Sequence, residues 1–111
     1  MGPTERILAT DPDLDGALRA LAHPVRRFLL ELLVVGEAAA GDLAAPAAVT
    51  FGISTSSASQ HLAVLVKADL LEVVDGTWRW HRLSPGPGAI ITAWLEQLAL
   101  PLGPSKHRPA A

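Results

Sequence analysis

The sequence predicts a mainly α-helical domain carrying one small β-hairpin, an α+β arrangement, and three observations support it. Apolar residues recur at helical spacing in several separate stretches. Asp75-Gly76 sits between two strand-like runs, Leu71–Val74 and Thr77–Leu83, and such a pair suits a tight hairpin because both central positions need positive φ. Breakers stand between the periodic stretches: His23-Pro24, Gly36, and the cluster Ser84-Pro85-Gly86-Pro87-Gly88.

Taken in order, residues 1–12 read as a loose arm, residues 13–100 as one domain, and residues 101–111 as a Pro- and Ala-rich tail. The first helix, Asp13–Leu21, places Leu14, Ala17, Leu18 and Leu21 on one face, and its acidic start suits the helix dipole. Pro24 opens a second helix that runs to about Val34, with Val25, Phe28, Leu29, Leu32 and Leu33 facing a core. Arg26 and Arg27 point away from that face, and Gly36 ends the helix. A third helix is expected around Ala40–Ala48, anchored by Leu43. Pro46 should kink or shorten it, leaving Val49–Ile53 as a long link with Phe51 and Ile53 plugging the core.

The fourth helix organises the chain. Ser54 is a good N-cap for it. Ala58, Leu62, Leu65 and Val66 form its apolar face. Thr55, Ser56, Ser57, Ser59, Gln60 and His61 crowd the opposite side of its N-terminal half. Short donors and acceptors at a helix N-terminus suit entry into the DNA major groove, where hydroxyls and amides bond base edges and phosphates. The hairpin follows at once, giving the order of a helix-turn-helix and its wing. The last helix, Ala89–Leu98, carries Ile90, Ile91, Trp94, Leu95 and Leu98, a stripe too wide for a terminal helix on so small a domain.

The 111 residues are 50% apolar and include no cysteine, which excludes disulfides and thiolate metal sites. No apolar run is near the length of a membrane span, and the start lacks the pattern of a secretory signal, so a cytoplasmic protein is expected. Its richness in Ala, Gly, Pro and Arg suggests a bacterial source. The net charge of −2 is unusual for a nucleic-acid binder. Lys67, Arg79 and Arg82 lie on or near the reading unit, while Asp69, Glu72 and Asp75 dilute them. DNA binding is therefore expected to draw on the doubled surface of a dimer.

Three segments resemble the ArsR/SmtB family of winged helix-turn-helix transcriptional regulators. They are Leu21-Ala22-His23-Pro24-Val25-Arg26-Arg27, Ser57-Ala58-Ser59-Gln60-His61-Leu62-Ala63-Val64-Leu65 and Trp80-His81-Arg82-Leu83. The resemblance runs from about Leu14 to about Leu98. It implies a winged helix-turn-helix that is dimeric through its N- and C-terminal helices and binds double-stranded DNA at an inverted repeat. The interface is expected to hold Leu14, Leu18, Leu21, Ile91, Trp94, Leu95 and Leu98. The expected DNA-binding residues are Thr55, Ser56, Ser57, Ser59, Gln60, His61, Lys67 and Arg79. His61 stands where the family places a histidine, for DNA contact or helix packing, and Arg26 where it helps hold the fold or neighbours the DNA backbone.

Many relatives sense metals, but their ligand sets are missing here. The segment before the turn reads Ala38-Ala39-Ala40-Gly41-Asp42-Leu43, without cysteine, and the terminal helix has no histidine. His23, His61, His81 and His107 form no pair at i, i+3 or i+4. No metal or other cofactor is expected, and control falls to a small-molecule effector or a sensor protein. The sequence carries no catalytic motif, so no enzyme is expected. The alternatives are a winged-helix protein-interaction module and a metal-responsive regulator with an atypical histidine site, for example His107 with a partner subunit.

Overall fold

A computed structural model describes residues 6–75 and 79–99. The element order is α1 (Pro12–Leu21), α2 (Pro24–Leu32), β1 (Ala38–Ala39), α3 (Ala40–Phe51), α4 (Thr55–Lys67), β2 (Leu71–Asp75), β3 (Trp80–Leu83) and α5 (Ala89–Ala99). Asp75 is the last residue of β2 and pairs with Trp80, so it is not a central residue of the expected two-residue Asp75-Gly76 turn. Gly76 and Thr77 lie outside the described residues, as do the tail and His107.

The helix ends follow from side-chain chemistry. Asp11 caps α1 by accepting from the N–H groups of Asp13 and Leu14, with Pro12 in the first turn. The His23 ring accepts from Val25 N–H at the start of α2. Ser54 Oγ accepts from Ser57 N–H at 2.9 Å and caps α4 as its sequence position predicts.

Several boundaries differ from expectation: α1 starts at Pro12 rather than Asp13, β3 at Trp80 rather than Thr77, and two helix ends also move. The helix α2 stops at Leu32 rather than near Val34. There the chain tightens into i to i+3 bonds, Leu33 N–H to Leu30 and Val34 N–H to Glu31, and the β-branched Val34 and Val35 turn into solvent. The helix α3 runs through Pro46 to Phe51, so the link to α4 is the short Gly52–Ser54 and not Val49–Ile53. Proline costs the helix one bond, to the carbonyl of Asp42, but Asp42 is exposed and water can serve it. Packing supplies the compensation: Leu43, Ala44 and Ala47 are buried against the core, on both sides of the proline in sequence. Gly52 ends α3 at φ +66°, in the left-handed region, and its N–H and that of Ile53 both reach the Ala48 carbonyl.

The core lies between α2, α3, α4 and the start of β2. Leu29, Leu43, Leu65 and Leu71 are its largest fully covered apolar side chains. Phe51 and Ile53 pack at its edge, and Phe51 meets Phe28 edge-on at 5.3 Å between ring centres. The sheet is antiparallel in the order β1-β3-β2. Leu71 pairs with Leu83, Glu72 with Arg82 and Val73 with His81, and an irregularity follows between Val73 and Asp75. Ala38 and Ala39 pair with His81 and Trp80. This third strand ties the ribbon to the start of α3.

At the other end α5 packs on α1, whose Leu14 and Ala17 are buried. Ile7 is held to α5 by a reciprocal pair: its N–H donates to Gln97 Oε1, and Gln97 Nε2 donates to its carbonyl. Among the described residues no helix is long and apolar enough to cross a membrane.

Candidate nucleic-acid interface

The helix α4 is divided by its own periodicity. Ala58, Leu62 and Leu65 are buried, while Thr55, Ser56, Ser59, Gln60 and Lys67 are exposed. Ser57 and His61 lie at the boundary, half-buried. The Gly52–Ser54 turn projects the N-terminal half of α4 with its hydroxyls and the Gln60 amide outward. That side offers donors and acceptors but no charge before Lys67.

His61 takes a more specific place than the sequence suggests. Its ring lies 4.4 Å from the ring of His23, centre to centre. Arg26 Nε donates to His61 Nδ1 at 3.0 Å, so that nitrogen carries no proton. Arg26 Nη1 also donates to the Arg19 carbonyl, and Arg27 Nη1 donates to the Leu21 carbonyl at 2.7 Å. The two arginines therefore do not simply form a solvated face. They satisfy carbonyls at the end of α1, and Arg26 links that end to α4. The histidines missing from any one helix face are paired instead between the α2 cap and α4. Among the described residues no group of three His, Asp or Glu side chains could hold a metal ion.

Burial holds the His61 imidazole below its ordinary value of 6.5, and the nearby His23 and Arg26 push in the same direction. Burial also lowers His81, outweighing the hydrogen bond between its Nδ1 and the Arg79 carbonyl. A depressed histidine is neutral in the folded chain where the unfolded chain already binds a proton. Stability is therefore expected to be full above pH 6.5 and to fall as the pH drops below it towards the folded-state values. Urea denaturation midpoints at pH 7.5, 6.5 and 5.5 check this. A midpoint that rises on acidification contradicts it.

In the ribbon, His81 faces inward and is buried, while Trp80 and Arg82 face outward. Glu72 and Glu37 both pair with Arg82, raising its already high pKa and committing its charge. Arg79 is exposed just before β3 rather than within the strand-like run expected from Thr77, and its φ of +53° is a strained value for a residue with a side chain. Its carbonyl accepts from His81 Nδ1 at 2.7 Å and from Ala40 N–H at 3.2 Å. Those two bonds hold the Arg79 backbone just before β3, at the end of the ribbon where Asp75 pairs with Trp80. Among the described residues, ion pairs involve only Arg19 and Arg82 of the basic side chains.

The expected interface residues divide into two groups. Leu14 is buried within the chain, and Leu21, Ile91 and Trp94 are partly buried. Leu18, Leu95 and Leu98 stand 42%, 52% and 64% exposed.

A family model described as a helix-turn-helix domain matches residues 21–74. The chain is 37% identical to the crystal structure of a possible transcriptional regulator for arsenical resistance, over 78% of this chain and 86% of that one, with a TM-score of 0.61. It is 27% identical to the crystal structure of an ArsR family transcriptional regulator, over 78% and 92% of the two chains, at a TM-score of 0.69. A homodimeric winged helix-turn-helix DNA-binding domain from Mycobacterium bovis, solved by NMR, is 26% identical over 88% of each chain, at a TM-score of 0.62. No curated protein matches the chain.

Proposed function

Because the chain belongs to the ArsR family of winged helix-turn-helix transcriptional regulators, we propose that it binds an inverted-repeat DNA operator as a homodimer in the cytoplasm. The reading helix is α4, and the ribbon of β2 and β3 rests on the neighbouring backbone. The observation that carries this reading is the split of α4 into a buried apolar face and an exposed face of Thr55, Ser56, Ser59 and Gln60. Gln60 is the residue for direct readout, because its amide pairs with adenine in a bidentate way. Lys67 and Arg79 serve phosphates. His61 acts from behind, as the packing contact that sets the helix against α2.

The homodimer forms through Leu18 of α1 and Leu95 and Leu98 of α5, with Leu21, Ile91 and Trp94 alongside. The exposure of the three leucines supports this, as does the homodimeric relative from Mycobacterium bovis. Control comes from a small molecule or a partner protein rather than from a thiolate metal site, since the chain has no cysteine. A mobility-shift assay with the DNA upstream of the protein's own gene tests the reading. A discrete complex that specific competitor removes and scrambled competitor does not is expected.

A second reading, an interaction module without DNA contact, draws on the apolar ribbon, where Val73, Val74 and Trp80 are each more than a third exposed. Loss of all retardation in that assay, at low salt and with a folded dimer, would favour it.

A further inference from the structure

A cleft of about 700 Å³ runs along α1, between it, the last turns of α4 and the start of α5. Its size lies within the range of small-molecule sites, roughly 300–1,000 Å³. Ala17, Ala20, Val64, Leu70 and Ile90 give it an apolar floor. Gly16, Gly86 and Gly88 border it, and their missing side chains leave room. Leu18, Leu95 and Leu98 do not line it, so the proposed dimer contact uses a different face of α1.

The charges of the cleft are sorted along its length. Asp13 belongs to the N-terminal end of α1 and Arg19 to its C-terminal end, six residues or about 9 Å further on. Arg26 reaches the second end, where its Nη1 donates to the Arg19 carbonyl. Lys67 lines the wall from α4, with Asp69 beyond it. Arg19 is paired with Asp15 at 2.8 Å, whereas the described bonds of Arg26 run to neutral acceptors, the Arg19 carbonyl and His61 Nδ1. The guanidinium is thus fixed in place by groups that leave its charge uncompensated. An apolar trough ending at a fixed guanidinium is complementary to an amphipathic monocarboxylate, since Arg matches a carboxylate in charge and planar geometry.

We propose that this cleft is an effector site for a small amphipathic monocarboxylic acid, its apolar body on the floor and its carboxylate at Arg26. The site deepens the reading of small-molecule control made above. Its consequence for DNA follows from one contact. The side chain that receives the carboxylate also donates to His61 on α4, so occupancy of the cleft acts on the group that sets the reading helix against α2.

Octanoate is a suitable probe, with octan-1-ol as its uncharged counterpart. Calorimetry on the full chain without DNA should show saturable octanoate binding. The alcohol should bind at least about tenfold more weakly, the loss of one charge-assisted contact. In amide NMR spectra the Gly16, Gly86 and Gly88 signals should shift. Gly16→Leu keeps the helix and meets no atom within 4 Å at its Cβ, so the variant should fold and fill the cleft. It should weaken octanoate by about tenfold or more. Equal binding of acid and alcohol, octanoate binding unchanged in the circular-dichroism-intact Gly16→Leu variant, or no octanoate binding at millimolar concentration would each overturn the proposal. The assay contains no DNA, so a failure here leaves the operator reading to its own mobility-shift test.

Discussion

Replacing Leu65 by alanine should lower the stability of the domain by roughly 2–5 kcal/mol. Leu65 lies on the buried face of α4 with no exposed surface, in the cluster that holds Leu29, Leu43 and Leu71. Truncation removes the apolar contacts and leaves a cavity that four elements would have to close together. Domains of this kind are stable by only about 5–15 kcal/mol, so the change takes a large share of the total. It also loosens the attachment of the helix assigned to read DNA. Urea denaturation followed by circular dichroism measures it. A loss under about 1 kcal/mol would mean that α4 is not anchored through this residue.

The Leu95→Asp, Leu98→Asp double variant should be a folded monomer at micromolar concentration, with operator affinity reduced by about 10²–10⁴-fold. The fold should survive, because α5 has no buried residue and both leucines face outward. The dimer should not, since two like charges on each copy would be buried against their equivalents across a two-fold axis. The large effect on DNA follows from the charge. The chain carries a net −2, and two of its arginines are already paired with acids. One copy therefore has few cations for phosphate, and affinity depends on joining two half-sites. Light scattering and a mobility shift on the same sample check both parts. A double variant that remains dimeric, or a monomer with full affinity, contradicts the assignment of α5.

The extent of α4 is legible in the sequence because several independent signals agree there. Ser54 caps it, Ala58, Leu62 and Leu65 give its period, and the hydroxyl-rich start has no core role. The existence of the two longer strands is legible for a similar reason, as strand-like runs on either side of a turn signal, but their ends are not: Asp75 is paired within β2 and β3 begins only at Trp80. The short strand β1 is not, since two alanines have neither periodicity nor strand preference, and they are extended only because β3 lies alongside. Pro46 misleads because a local rule is overridden by burial on both sides of it. The Arg26–His61–His23 cluster is invisible for a third reason. Arg26 and His61 are 35 residues apart, and only the packing of α2 on α4 brings the rings together. Sequence spacing reports which groups share an element and not which elements meet.

The most direct test of α4 as a reading helix compares Gln60→Ala with Arg79→Ala on operator and scrambled DNA at several salt concentrations. Both side chains are exposed, so neither substitution should unfold the domain. Gln60→Ala should cost about 1–3 kcal/mol on the operator and little on scrambled DNA, because it removes a base contact. Arg79→Ala should weaken both and flatten the salt dependence by about one unit of slope, because it removes a phosphate contact. Unchanged affinity of both folded variants for the operator would contradict the account and leave α4 without a role in reading DNA.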